Sequence, residues 1–423
     1  MAATLGLPLN LATWIIAALA TLGVILRPFS WPEAIWAGLG AILLVVLGLM
    51  PWHVALEGVA KGTDVYLFLV GMMLLSEIAR KEGLFDWLAA HAVRAARGSA
   101  TRLFLLVYVV GTVVTVFLSN DACAVVLTPA VFAATKAAGV KEPLPYLLVC
   151  AFIANAASFV LPISNPANLV VFAEHMPPLG QWLATFSLPS LLAIVATYAA
   201  LRLTQNAQLQ GETVATDVET PALPLGGKVA GAGIVATGAV LIGASWAGLD
   251  LGLPTFAAGL ATTLVVLLIN RGGLVAVVKD VSWSVLPLVA GLFVLVEALE
   301  KTGVLRMLAD LLRDAARADP SATAWAGGAL VAFGANLVNN LPAGLLAGAS
   351  VQAAQVPQTV AGAILIGIDL GPNLSVTGSL ATILWLTAIR REGEDVSAWQ
   401  FLKLGLLVMP PALVLALAGL ILV

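Results

Sequence analysis

Gly71-Met-Met-Leu-Leu-Ser-Glu77-Ile-Ala-Arg-Lys81-Glu-Gly83 lines up with Gly291-Leu-Phe-Val-Leu-Val-Glu297-Ala-Leu-Glu-Lys301-Thr-Gly303. Gly, Glu, Lys and Gly match at one constant offset, so the chain carries the same unit twice. An amphipathic stretch follows each copy, 84–97 and 304–317, with apolar residues at helical spacing and charges on the other face. Both read as helices lying in a membrane interface. Further on, Leu118-Ser-Asn120-Asp121 matches Leu337-Val-Asn339-Asn340. Then Leu161-Pro-Ile-Ser164-Asn165-Pro166-Ala-Asn168 matches Leu374-Ser-Val-Thr377-Gly378-Ser379-Leu-Ala. Interrupted hydrophobic segments at corresponding positions of two halves point to a transporter's binding site.

The solvent for such a chain follows from its composition. It has 423 residues, 61% hydrophobic and 10% charged, with a mean hydropathy of +1.02. Soluble domains carry roughly 25% charged residues, so this surface cannot be covered with polar groups and lipid must be its solvent. The net charge of −3 says nothing about nucleic acid, and no basic run or aromatic-basic face points to it, so no nucleic-acid partner is expected. Two cysteines, Cys123 and Cys150, make neither a disulfide framework nor a four-thiolate metal site. His53, His91 and His175 fall at loop or interface positions, and no zinc-protease or phosphate-loop motif is present. No metal and no cofactor are expected, nor ATP hydrolysis by the chain itself. The first ten residues lack a basic region, so the first apolar run is expected to stay as a membrane span rather than be cleaved.

The apolar runs near 103–135, 144–176, 322–353 and 358–390 are each broken inside, and polar residues 204–223 separate the two series. The expected division is a first repeat over 1–203, a cytoplasmic linker over 204–227 and a second repeat over 228–423. If the 103–135 and 322–353 segments enter and return as hairpins, each half has an odd number of crossings, and the halves must be inverted. Of the 20 Lys and Arg, only Lys61, Lys301, Arg306, Arg313 and Arg317 then fall on the outer side. Single broken crossings give a weaker asymmetry, so the positive-inside rule favours hairpins. The expected fold class is an all-α polytopic membrane protein of two inverted repeats. It has about ten transmembrane segments plus two re-entrant helical hairpins, with helices broken at the midplane. It would sit in the cell inner membrane with both termini on the periplasmic side.

Breaks at membrane depth are tolerated only beside protein or water, so the breaks of the two halves should meet. Asn120, Ser164, Asn165, Asn168, Asn339, Asn340, Thr377 and Ser379 are the candidate substrate-binding residues. They offer donors and acceptors without fixed charge. Asp121 and Asp369 are the carboxylates placed deep beside a break, and such acids are functional candidates by default; they are the candidate proton-coupling groups. Glu77 and Glu297 each precede a Lys by four residues and read as structural ion pairs. Cys123 is a weak ligand candidate, because a soft-metal site needs several sulfurs. No Lys or Arg falls inside a core segment, which suits a neutral polyol-like solute or a cation better than a dianion.

On these residues the chain resembles the ion transporter superfamily, and within it the arsenite/antimonite efflux permease family. The likeness rests on the first tip, Leu118-Ser-Asn-Asp-Ala122 with Leu127-Thr-Pro129, and on the Ser164-Asn-Pro-Ala-Asn168 break. It rests equally on the second tip, Asn339-Asn340-Leu-Pro342. The resemblance implies scaffold and transport domains and export of As(III) or Sb(III) against entering protons, sometimes with a separate soluble ATPase. Uncharged As(OH)3 suits the neutral cavity. Two other activities fit the same residues: a Na⁺/H⁺ antiporter using Asp121 and Asp369, and a passive channel for small neutral solutes.

Overall fold

The computed structural model describes residues 9–172, 176–216, 218, 220–271 and 273–423; His175 lies outside them. Among the described residues the chain is helical throughout, and its one β contact is an isolated bridge between Ser99 and Thr213. The first series of helices is α1 (Leu9–Leu26), α2 (Glu33–Val46), α3 (Trp52–Lys61), α4 (Thr63–Lys81), α5 (Leu84–Ala96), α6 (Ala100–Phe117), α7 (Asn120–Ala122), α8 (Thr128–Ala137), α9 (Leu144–Ala156), α10 (Pro166–Phe172) and α11 (Leu179–Thr204). The short α12 (Asn206–Gln210) leads out of it. The second series is α13 (Leu225–Trp246), α14 (Gly252–Asn270), α15 (Leu274–Asp280), α16 (Val285–Lys301), α17 (Val304–Ala318), α18 (Pro320–Val338), α19 (Asn340–Ala354), α20 (Gln358–Leu370), α21 (Leu380–Arg391) and α22 (Ala398–Leu422). The two series run in the same order, α19 standing where the first has α7 and α8.

The repeated glycines have a physical reason. α4 packs along α14 and α16 along α2. A Cβ on Gly71 would run into the backbone of Thr255 and Phe256, and one on Gly291 into the backbone of Ala37. Small residues let helices approach this closely where lipid supplies no hydrophobic drive between them. Gly83 and Gly303 end the same motif at φ +72° and +82°. That left-handed turn starts α5 and α17, and it suits glycine because no Cβ is in the way.

Among the described residues six helices, α6, α11, α13, α14, α18 and α22, are by themselves long and apolar enough to cross a membrane, and the α3–α4 pair, bent by 49°, makes up to seven. α1, α2 and α9 are apolar but shorter. At 13 residues α9 and α20 span about 20 Å at 1.5 Å per residue, short of the roughly 30 Å hydrocarbon layer. Each stops at its break and hands the chain on through 3₁₀ turns, 162–164 and 371–378. The amphipathic pair differs from expectation in one respect. α17 keeps Met307 and Leu311 exposed, whereas α5 buries Leu84, Phe85, Ala89 and Val93 against α6 and α8.

Candidate functional site

The site is built from four helix starts. Ser119 caps α7, its Oγ accepting the Ala122 N–H at 3.2 Å. Asn120 is buried and its Oδ1 accepts the Asp121 N–H at 2.9 Å. Beyond the tip, Pro129 has no N–H to give, and the ladder widens into a π-turn over Cys123–Leu127. Asn339 caps α19, with Oδ1 accepting from Leu341 N–H at 3.4 Å and Nδ2 donating to the Thr377 carbonyl at 3.2 Å. Its φ of 72° and ψ of 152° lie in a region that belongs almost wholly to glycine.

These caps shift the repeat register by one residue from the sequence match. The structural partner of Asn339 is Ser119, and that of Asn340 is Asn120, continuing the Gly71-to-Gly291 offset. The capping role is what repeats, and Ser and Asn both fill it, so residue identity misled by one position. Asp121 therefore corresponds to Leu341.

The same holds at the other two breaks. Asn165 Oδ1 accepts from Ala167 N–H at 3.0 Å at the start of α10, and Ser379 Oγ accepts from Thr382 N–H at 3.1 Å at the start of α21. Each of these residues then crosses to the other half. Asn165 Nδ2 donates to Asp369 Oδ1 at 2.7 Å, and Ser379 Oγ donates to Asn155 Oδ1 at 3.3 Å. Asn155 and Asp369 occupy equivalent places in α9 and α20, each one residue before the helix's final residue.

Three cavities line these helices, and two of them meet the capping residues. A vestibule of about 650 Å³ is lined by Glu77, Arg80, Asp86, Asp121, Asp280 and Arg391 among others. A second, of about 680 Å³, is lined by Lys61, Glu297, Glu300, Arg306, Asp310 and Arg313 among others. Their walls use equivalent positions: Glu77 and Glu297, Arg80 and Glu300, Asp86 and Arg306, Val125 and Leu345. A pinch of about 10 Å³ has Asn120, Asp121, Asn165 and Asn340 as its polar wall, with Leu69, Val285 and Leu380 among its apolar residues. Asp121 is half-buried and faces both the pinch and the first vestibule.

Of the expected binding residues, Asn120, Asn165 and Asn340 stand on this wall, as does Asp121. The others do not. Ser164 Oγ donates to Val116 O at 3.0 Å and accepts from Leu161 N–H at 3.2 Å. Asn168 Nδ2 is spent on the carbonyls of Ser158, Leu161 and Pro162. Thr377 bonds the Asn336 carbonyl, and Ser379 caps α21. Asp369 is fully buried and away from the wall. A broken helix frees backbone groups that must be paired, and these side chains do that locally. Sequence reasoning missed Asn155, Asn336, Asn373 and Thr382. Asn155 Nδ2 donates to Asn373 Oδ1 at 3.0 Å and Thr382 Oγ1 at 3.3 Å, and Asn373 Nδ2 to Phe152 O at 3.0 Å. The available signal was an amide inside an apolar run.

Glu77 pairs with Arg80 at 2.6 Å and with Lys81 at 3.7 Å, but Glu297 pairs with Lys61 at 2.5 Å rather than with Lys301. The end of α3 brings Lys61 there. On the mirrored arm the charges are exchanged: Lys81 holds Asp280, at the end of α15, at 2.9 Å. That hydrogen bond and charge hold the Asp280 carboxyl below the usual carboxylate range. Cys123 is buried with Sγ 3.5 Å from the Cys150 carbonyl, off the pinch. No cluster of three or more His, Cys, Asp or Glu suited to a metal ion occurs among the described residues.

Comparison with known proteins agrees with this architecture. Residues 12–370 match the CitMHS family model, described as citrate transporter. The chain is 26% identical over 362 residues to an arsenical pump membrane protein of Yersinia enterocolitica, covering 83% of this chain and 84% of that one. It is 25% identical over 402 residues to the arsenical pump membrane protein of Escherichia coli K12, covering 90% and 91%. The fold is similar to that of the Alcanivorax borkumensis YdaH transporter, with a TM-score of 0.56, 16% identity and 86% of each chain covered.

Proposed function

The chain belongs to the citrate transporter (CitMHS) family, a multi-pass membrane transporter rather than an enzyme, and from that premise we propose that it exports arsenite or antimonite, as As(OH)3 or Sb(OH)3, against entering protons. The observation that carries this reading is the wall of the pinch. Three carboxamides, from Asn120, Asn165 and Asn340, converge there, and among the described residues the only charged one on the wall is an acid, Asp121. Amides give and accept hydrogen bonds to neutral hydroxyls. A tricarboxylate would meet the Asp121 charge with no cation on the wall to offset it. The names of the arsenical pump relatives support the same choice of solute.

The two helix series act as inverted repeats, 1–203 and 228–423 joined by a cytoplasmic linker over 204–227. In the inner membrane the termini face the periplasm. The vestibule of Arg80 and Arg391 is then the cytoplasmic one and that of Lys61, Arg306 and Arg313 the outer one, as the distribution of Lys and Arg favours. Asp121 opens to the inner vestibule in this state and is the coupling acid. A neutral solute gains nothing from membrane potential, so concentrative export needs such a group to carry protons the other way. Alternating access moves the hairpins and broken helices against α4 and α16, carrying the pinch from one vestibule to the other.

The test is arsenite efflux in cells that lack their own exporter, with and without a protonophore. Efflux abolished by the protonophore is expected. Sodium-dependent pH changes in vesicles without arsenite movement would favour a Na⁺/H⁺ antiporter, and flux indifferent to the proton gradient would favour a passive channel.

A further inference from the structure

Asp369 is fully buried, and among the described residues its surroundings hold no cation. α20 packs against α18, α19, α9, α10 and α22. On α18, α19 and α10 there is no titratable side chain at all. α9 offers Tyr146 and Cys150, and α22 offers Lys403, which lies over the Trp399 ring near the helix's exposed start. Asp121, which lines the pinch with Asn165, is the other acid at the breaks. A bare carboxylate here would be a buried charge without a counter-ion, which is the costliest arrangement a side chain can adopt.

The two-fold correspondence of the halves says what occupies this place instead. At the equivalent position Asn155 is a neutral group with one accepting and one donating end. Its Oδ1 accepts from the cap Ser379, while its Nδ2 donates to Asn373 and Thr382. Asp369 repeats the first half of that pattern: its Oδ1 accepts from the cap Asn165 at 2.7 Å. Its Oδ2 is buried and receives no donor. Ser158 stands beside the carboxyl, but its one hydroxyl hydrogen goes to the Asn155 carbonyl at 2.7 Å. Asn168, which grips the Ser158 carbonyl, likewise has an Oδ1 without a donor. The cluster has acceptors in excess and lacks a hydrogen. A proton on Asp369 Oδ2 supplies one, and the acid then matches the accepting and donating ends of Asn155.

We infer that Asp369 works as a protonated, neutral hydrogen-bond group that positions Asn165 at the pinch, and that it is not the acid through which protons are exchanged. It joins the α20 break of one half to the α10 cap of the other, as Asn155 and Ser379 join α9 to α21. It is a positioning residue, and it acts on the solute through Asn165. The inference rests on the transport reading only for its functional arm.

Two measurements test it. In purified protein, the infrared carbonyl band of a protonated carboxylic acid should be present at neutral pH in a D121N background and vanish in D121N/D369N. D369E should move the band rather than remove it, which covers the case in which D369N does not reach the membrane. Absence of the band at neutral pH in D121N overturns the inference. In everted vesicles, D369N should transport within about twofold of the parent with the same pH profile, because the amide keeps one acceptor and adds a donor. D369A, which orphans Asn165, should fall by about tenfold or more. A flattened pH profile in D369N would overturn the inference by making Asp369 the exchanging acid. If the parent moves no arsenite, the proposed solute is wrong, while the infrared arm still decides the state of Asp369.

Discussion

Asn339 carries a strain that its counterpart Ser119 does not. At φ 72° and ψ 152° a Cβ is unfavourable by roughly 1–3 kcal/mol, whereas Ser119 at φ 174° is extended backbone open to any residue. Asn339→Ala keeps the Cβ and loses two bonds: the cap on Leu341, worth about 0.5–2 kcal/mol, and the bond to the Thr377 carbonyl, worth about 0.5–1.5 kcal/mol. The cap is long at 3.4 Å, so the lower half of its range applies, and the net loss should be about 1–3 kcal/mol. Asn339→Gly loses the same bonds but releases the strain, so it should come out near the parent or better. Thermal unfolding in detergent separates the two: the Gly variant should melt above the Ala variant. At position 119 the order should not favour Gly, because no strain is released there and Gly adds chain entropy to the unfolded state. Equal melting of N339A and N339G, or a Gly advantage at 119 as large as at 339, would refute the reasoning.

Other outcomes follow from the same geometry. Asn340→Ala and Asn120→Ala remove amides from the pinch wall, so arsenite transport should fall while membrane levels hold; normal efflux in both would remove these residues from the site. Asp121→Asn keeps shape but cannot ionise, and should abolish export against a gradient while downhill exchange in vesicles persists; uphill pumping with a normal pH dependence would move the coupling acid elsewhere. Cys123→Ser should retain most transport, since the thiol faces the Cys150 carbonyl and not the pinch. Asp280 has a depressed carboxyl, so its contribution to holding α15 on α4 is present above about pH 4, the ordinary carboxylate value, and is lost as pH falls through the folded value. D280N should remove that pH step from the exposure of α15 to proteolysis, and an unchanged step would refute the assignment. Labelling of 136–143 together with 84–97 from the cytoplasmic face is expected for a re-entrant first hairpin.

The helical class, the repeated unit and the positions of the breaks were legible because each leaves a local mark: an apolar run, a glycine at positive φ, a polar tip. The roles of the polar residues at the breaks were not. Ser164 and Asn168 look like ligands in sequence because they are polar in an apolar run, yet they are spent on carbonyls freed by the break itself. Local satisfaction of backbone and exposure to a cavity leave the same residue types. Only the fold distinguishes them. The register was hidden for a related reason: Ser119 and Asn339 share a task and not an identity. Asn155 went unnoticed because its partners, Asn373, Ser379 and Thr382, lie more than 200 positions away.

The two vestibules share wall positions, so in the proposed inverted arrangement direction must come from residues that break the correspondence. At the hairpin tips that residue is Asp121, opposite Leu341. At the crossed caps it is Asp369, opposite Asn155, and a protonated acid there restores the equivalence instead of breaking it. That leaves Asp121 as the one ionisable difference at the pinch. It sits on the first hairpin, facing the vestibule of Arg80 and Arg391. On the proposed proton exchange, this carboxyl must meet the other vestibule in turn, which requires the first hairpin to move relative to α4 and α16. The ion pairs Lys61–Glu297 and Lys81–Asp280 fix the arms α3 and α15 to those same two helices. The arms therefore stay with α4 and α16, and the motion that exposes Asp121 falls between them and the hairpins.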